Sequence, residues 1–106
     1  MPKFKINQAD SFSIEVEGKL IPFKGFEEFS FFIWEDSKRD WAVHETTTGV
    51  RIGNRYPNKM HAVKAAFREL KDHQTVLHES ISGHPKVETL PSEKEYQKKV
   101  AQNDDI

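Results

Sequence analysis

The chain has 106 residues, a formal net charge of −1 and no cysteine. This length is typical of one domain and too short for two ordinary ones. The lack of cysteine excludes disulfides, thiolate nucleophiles and cysteine-based metal sites, and it favours a reducing cytoplasm. The opening MPKFKINQADSF lacks the apolar run of a signal peptide, and no window approaches the roughly 20 apolar residues that span a bilayer. We expect a cytoplasmic protein with no membrane contact.

Charge is distributed unevenly along the chain. Residues 1–37 contain four lysines against seven acidic residues, residues 38–71 contain eight Lys or Arg against three, and residues 72–106 contain four lysines against seven. The middle segment holds all the arginines: Arg39, Arg51, Arg55 and Arg68. Such a segment either binds an anionic partner or packs beside the acidic segments and neutralises them.

Five short strands are predicted in the first half of the chain. Alternating apolar and polar residues predict an antiparallel hairpin of residues 11–17 and 19–24 that turns at Gly18. FEEFSFFIWED predicts a third strand, residues 27–35, and DWAVHE and GVRIG predict a fourth and a fifth. Gly49, in the TTTG turn between the last two, is expected to take a positive φ. The result is an antiparallel β-meander of four to five strands.

One main helix is predicted over about residues 59–73, where the apolar period changes from two to 3.6. Asn58 supplies an N-cap oxygen. Apolar residues recur at helical spacing: Met60, Val63, Ala66, Phe67 and Leu70. A single apolar stripe needs a surface to cover, so the helix is expected to lie across one face of the sheet. The predicted fold class is therefore α+β.

The last part of the sequence mixes apolar residues with turn formers. QTVLHESISGHPKVETLP predicts an irregular return with a short strand at residues 86–90. Ser92 and Glu95 have the spacing of a capping box, which predicts a weak C-terminal helix. We expect residues 1–90 to form one domain and residues 91–106 a partly ordered or disordered tail, with the last six residues disordered.

The stretch FSFFIW, residues 29–34, has aromatic side chains on both faces of the predicted strand. Pairing Ile33 with Trp41 places Phe32 and Trp34 on the face away from the helix, whereas pairing Trp34 with Trp41 exchanges the faces. Either the ends of the chain fold over the uncovered aromatics, or these form a docking platform for a base or another protein. Phe32 and Trp34 are thus the candidate protein-binding residues.

Motifs of catalysis and cofactor binding are missing from the sequence. His44-Glu45 and His78-Glu79 begin like the zinc-protease helix motif, but neither has the second histidine four residues on. The histidines between residues 73 and 84 do not share a helix face, and no phosphate-binding glycine loop or nucleophile elbow occurs. We therefore expect no enzyme activity, no cofactor and no metal.

A basic stripe is predicted along the main helix and the chain that leads into it. Such a surface suits a phosphate backbone, although lysines and arginines also populate ordinary solvated helix faces. The candidate nucleic-acid-binding residues are Arg51, Arg55, Lys59, His61, Lys64, Arg68 and Lys71.

Strands followed by a helix, in residues 39–70, resemble in topology the small DNA-reading domains at the amino ends of phage integrases. RDWAVHETTTGVRIGNRYPNKMHAVKAAFREL has their order of strand, turn, strand and helix. It lacks the dense Lys/Arg decoration of their strands, and the resemblance carries over no residue roles. In its general sequence character, though not in any one motif, the chain as a whole resembles short accessory proteins of bacteriophages and mobile elements.

These observations predict a small non-enzymatic binding or regulatory protein, a monomer or weak homodimer. Its expected role is that of a protein-binding accessory or inhibitor. The alternative is a nucleic-acid-binding accessory that uses the basic segment 38–71. Near-neutral net charge favours the protein binder, since nucleic-acid-binding domains usually carry a clear positive excess.

Overall fold

The computed structural model describes residues 2–104, and side chains for residues 2–101. The strands within this range are β1 Lys3–Gln8, β2 Phe12–Glu17, β3 Lys19–Ile21, β4 Phe31–Glu35, β5 Trp41–Glu45 and β6 Arg51–Tyr56. The helices are α1 Lys59–Asp72, α2 Gln74–Gly83 and α3 Glu93–Asp104, with a 3-10 turn at Val87–Thr89. The strands form two antiparallel sheets, in the orders β1-β2 and β3-β4-β5-β6. The predicted α+β fold class is confirmed.

Helix α1 covers one face of the four-stranded sheet, as predicted. The Asn58 side chain caps it by accepting a hydrogen bond of 3.1 Å from the His61 backbone N–H. The apolar stripe lies slightly off the predicted one, because Met60 is 58% exposed while Ala62 is buried. Between helix and sheet lies the main core, which includes Phe31, Ile33, Val43, Ile52, Ala62, Ala66 and Leu70.

The register of β4 and β5 differs from both predicted alternatives. Ile33 lies opposite Val43, and Trp34 lies opposite Ala42. This pairing is shifted by two residues from the predicted pairing of Ile33 with Trp41. Because side chains alternate with a period of two, that shift leaves the faces unchanged. Ile33 therefore faces α1, and Trp34 faces away from it.

The amino-terminal hairpin was predicted wrongly. β2 pairs with β1, with Phe4 opposite Val16, and not with the segment that follows Gly18. The hairpin turns at Ala9 and Asp10, whose φ values of 54° and 59° lie in the left-handed region. Aspartate tolerates that conformation but alanine rarely adopts it, and no glycine follows, so the sequence carried little local signal for this turn.

Gly18 lies at the point where the chain leaves one sheet and enters the other. The chain passes from β2 through Gly18 into β3, which pairs with β4 so that Leu20 lies opposite Phe32. Gly18 is buried, and a Cβ built on it would lie 2.8 Å from the Ile33 carbonyl oxygen. Only glycine permits so close an approach of the two backbones.

The predicted third strand, residues 27–35, is shorter than expected, because β4 begins at Phe31. The chain before it makes consecutive turns, with the Phe26 N–H donating to the Phe23 carbonyl oxygen at 3.0 Å. Both phenylalanines are buried in the main core, each 6% exposed. This aromatic burial holds residues 22–30 against the sheet without strand pairing.

The carboxy-terminal part is more helical than predicted. α2 replaces the expected irregular return and buries Leu77, and the 3-10 turn replaces the short strand expected at residues 86–90. The predicted weak last helix is confirmed as α3, where Ser92 Oγ accepts a hydrogen bond of 3.2 Å from the Glu95 N–H. Of the last six residues, predicted to be disordered, residues 101–104 belong to α3, which corrects that part of the prediction, and residues 105 and 106 lie outside the described residues.

Candidate functional site

Phe32 is not a surface residue, which corrects its prediction as a docking platform. It is fully buried, and its ring stacks on Phe4 of the β1-β2 hairpin and on His44. The hairpin therefore covers the face of the sheet opposite α1. Trp34, the second candidate, is half-buried beside it, and its indole Nε1 is buried without a hydrogen-bond partner among the described residues.

His44 lies in the same far-face layer and is 4% exposed. Its Nδ1 lies 2.8 Å from the Gly49 carbonyl oxygen. A carbonyl can only accept, so the neutral ring donates from Nδ1. Burial is the main cause that lowers the pKa of His44 to about 4, and the nearby charges of Arg51 and Arg55 also lower it. This histidine is therefore neutral at physiological pH.

Arg51 and Arg55 lie on β6, on the face of the sheet away from α1. Arg51 pairs with His44 in the register of β5 and β6. The Arg55 guanidinium donates to Asp36 at 2.7 Å and lies 5.6 Å from the centroid of the Trp34 ring. The Asp40 backbone N–H and Arg55 together hold the pKa of the Asp36 carboxyl below its ordinary value. Arg55 is thus engaged with its own chain.

The remaining basic candidates lie along α1. Lys59 is in its first turn, with its ammonium 5.2 Å from the centroid of the Trp41 ring. The others are exposed on the side opposite the buried Ala66: His61, Lys64, Arg68 and Lys71. The sheet separates this set from Arg51 and Arg55. The basic candidates therefore lie on two separate surfaces, a question that the sequence left open.

A groove of about 650 Å³ runs between α1 and the segment 22–24 that follows β3. We call it the α1 groove. Two elements position its sides, the helix through its core contacts and the segment through the buried ring of Phe23. The lining residues are Pro22, Phe23, Lys24, Val63, Lys64, Phe67, Arg68, Lys71 and Asp72.

The floor of the α1 groove is apolar and centred on Phe67. Its ring stacks on Phe23 with centroids 5.7 Å apart and meets Phe26 edge-on at 6.3 Å. The sequence predicted Phe67 at the centre of the buried stripe, whereas it is half-buried, and Leu70 is fully buried instead. Part of the Phe67 ring is therefore open to the groove.

The rim of the α1 groove is basic. It contains four cationic side chains and one carboxylate, Asp72. Within residues 2–101, none of the four cations forms a salt bridge. The Lys71 ammonium lies over Phe67, 5.4 Å from the ring centroid, so one charge is held against the apolar floor. The groove thus combines an aromatic floor with an excess of positive charge.

Three of the groove residues were in the predicted basic stripe, namely Lys64, Arg68 and Lys71. Sequence reasoning missed Phe23 and Lys24, which it assigned to the end of a strand. Their signal was the run PFKGF, where two phenylalanines flank Lys24 and a turn-forming glycine. That pattern favours a turn with buried aromatics over a continued strand.

The histidines between residues 73 and 84 do not converge. His73, His78 and His84 each face a different carboxylate, those of Glu69, Glu28 and Asp10 respectively. In the part of the chain that the structure describes, no three His, Asp or Glu side chains are grouped so as to hold a metal ion. Helices α1 to α3, as far as they are described, are too short or too polar to cross a membrane.

Comparison of the chain with protein-family models, with curated proteins and with solved structures found no match in any of the three.

Proposed function

We propose that this chain is a small non-enzymatic binding protein that docks another protein in the α1 groove, acting as an accessory or inhibitor. The observation that carries the proposal is the half-buried ring of Phe67 on an apolar floor, with four cations at the rim. Binding energy in protein interfaces concentrates where a few apolar or aromatic anchors fill a pocket. Charges at the rim mainly steer and select the partner.

The distribution of basic residues favours a protein partner over nucleic acid. Nucleic-acid affinity comes largely from counterions released when a basic surface tracks several phosphates. Arg51 and Arg55 lie across the sheet from the α1 groove, and Arg55 is paired with Asp36. With a net charge of −1, the chain as a whole offers no long-range attraction to a polyanion.

The proposal includes a cytoplasmic setting and a monomer or weak homodimer. A chain without cysteine needs no oxidising compartment to complete its fold. The α1 groove is formed within one copy, because both of its sides belong to the same chain.

The test exploits the absence of native cysteine. Lys24→Cys introduces a single thiol at the rim of the α1 groove, to which a photoreactive benzophenone is attached. The protein cross-linked to it in an extract of the source cells is identified, produced separately and titrated by calorimetry. We expect Lys64→Glu combined with Arg68→Glu to weaken this binding by at least about tenfold, equivalent to 1.4 kcal/mol.

The matched control is Lys94→Glu combined with Lys98→Glu. It makes the same change of charge at the same i, i+4 spacing on an exposed part of α3. We expect less than about a twofold change, because exposed charges away from an interface contribute little. Equal losses in the two double variants would refute docking in the α1 groove. Salt-sensitive binding of duplex DNA that only the α1 reversal abolishes would replace the protein partner by nucleic acid.

A further inference from the structure

We infer that the α1 groove takes an acidic peptide segment that packs one bulky apolar side chain against the exposed part of Phe67. This inference rests on the proposed function and specifies the chemistry of the partner. It depends on two separate features of the groove, its aromatic floor and the arrangement of its cations.

The floor selects the anchor. Val63, Phe23 and Phe67 present carbon surface, and the open part of the Phe67 ring gives an incoming ring or branched aliphatic chain a flat partner. Aromatic pairs contribute binding energy beyond that of the apolar area they bury. A volume of about 650 Å³ is ample for one large side chain with its flanking backbone. The anchor is therefore phenylalanine, tryptophan or leucine in type.

The rim selects the residues beside the anchor. Lys64 and Lys71 are seven residues apart on α1, which corresponds to about 10 Å along the helix axis. About three residues of extended chain cover the same distance. An extended segment with acidic residues on both sides of its anchor therefore matches these two lysines, and Arg68 lies between them on the helix.

The opposite rim reinforces the same choice. Lys24 faces α1 across the groove, so positive charge flanks the floor from both sides. Lys71 is held over the Phe67 ring, where a partly desolvated carboxylate partner interacts more strongly than it does in open water. Asp72 is the one acidic group of the lining, at the end of α1. The net character of the groove is cationic.

The experiment selects random displayed peptides on the immobilised full-length protein, with the Lys94→Glu, Lys98→Glu double variant as a parallel bait. We expect both baits to enrich sequences in which Asp or Glu flank a single Phe, Trp or Leu. One such peptide is then synthesised in three forms: as selected, with the anchor changed to Ser, and with each acidic residue changed to its amide. Fluorescence anisotropy should show at least about a tenfold loss of affinity for each altered form.

The outcomes separate this inference from the proposed function. Selected peptides that contact a label at Lys24→Cys but are neutral or basic would overturn the acidic segment and leave docking in the α1 groove intact. Acidic peptides that bind equally well to the Lys64→Glu, Arg68→Glu variant would overturn both. If the label site at Lys24→Cys became less accessible as the concentration of the protein alone was raised, the occupant of the α1 groove would be a second copy of the chain. That result would also overturn the inference.

Discussion

The rings of Phe4 and Phe32 lie face to face, with their centroids 4.3 Å apart and their planes inclined by 6°. This contact joins the β1-β2 hairpin to the middle of the four-stranded sheet. It explains why β4 carries aromatic side chains on both faces, since Phe23 and Phe29 contact Phe31 on the side of α1 and the hairpin covers the other face. β4 is thus covered on both of its faces.

Phe4→Ala should lower the free energy of unfolding by about 2 kcal/mol, less than for a phenylalanine buried in a core, because Phe4 is half-buried. The loss has two causes, removal of the stacked ring and exposure of Phe32. Leu20→Ala is the matched control, because Leu20 lies opposite Phe32 in the register but is 55% exposed. It should cost no more than about 0.5 kcal/mol. Urea denaturation measures both changes, and similar losses would contradict the covering role of the hairpin.

Stability should depend on pH through His44. Its pKa is about 4 in the folded protein and 6.5 in an ordinary histidine, so between these values the unfolded chain binds a proton that the folded chain does not. The free energy of unfolding should therefore fall by about 3 kcal/mol as the pH is lowered from 6.5 to 4, and this contribution should be constant above that window. The lowered pKa values of Glu27, Asp10 and Asp36 act in the same direction, at the acid end of this window and below it.

Denaturation curves of wild type and His44→Gln across this pH range test the assignment. The variant should lose most of the pH dependence, whereas His61→Gln, at an exposed position on α1, should keep it. A wild-type slope that persists in His44→Gln would assign the dependence to other groups.

Gly49→Ala should destabilise the fold by at least about 3 kcal/mol, because it combines left-handed strain with a steric clash. Gly49 has a φ of 71°, as the sequence predicted for this turn. A Cβ there would lie 2.8 Å from both the Asn7 nitrogen and the Lys5 carbonyl oxygen of β1. Gly83→Ala is the control, since a Cβ at Gly83 has no neighbour within 4 Å. Comparable melting temperatures for the two variants would show that the approach of β1 to this turn is not required.

Leu70→Ala should cost about 3 kcal/mol, in the range for a buried leucine. Met60→Ala, on the same helix, should cost no more than about 0.5 kcal/mol because its side chain is 58% exposed. The sequence placed both residues on one apolar stripe, so chemical denaturation of the two variants distinguishes the observed helix face from the predicted one. Equal losses of stability in the two variants would support the predicted helix face against the observed one.

The elements that the sequence predicted correctly depend on local signals. Asn58 followed by apolar residues at helical spacing predicted α1, and the run DWAVHE predicted β5. α2 was missed although Leu77 and Ile81 stand at i, i+4, because threonine, serine and glycine between residues 74 and 83 weakened the helical pattern.

The remaining errors concern contacts between distant parts of the chain. The choice of β1 rather than β3 as the partner of β2 depends on the stacking of Phe4 on Phe32, which no local pattern encodes. The candidate site follows the same rule. Lys64, Arg68 and Lys71 were found from their helical spacing, but the α1 groove exists only because Phe23, more than 40 residues before Phe67, packs against its ring.

The chain bends at Gly18, so that β2 and β3 form one continuous segment, a bent ribbon, with one strand in each sheet. On one side of the bend, β2 holds the hairpin over the far face; on the other, β3 leads through Pro22 directly into the outer wall of the α1 groove. Strands that pass from one sheet to another at a bend form the corners of packed sheets. The outer wall of the α1 groove is therefore held in position by the amino-terminal strands as well as by α1. A displacement of the hairpin would displace this wall as well.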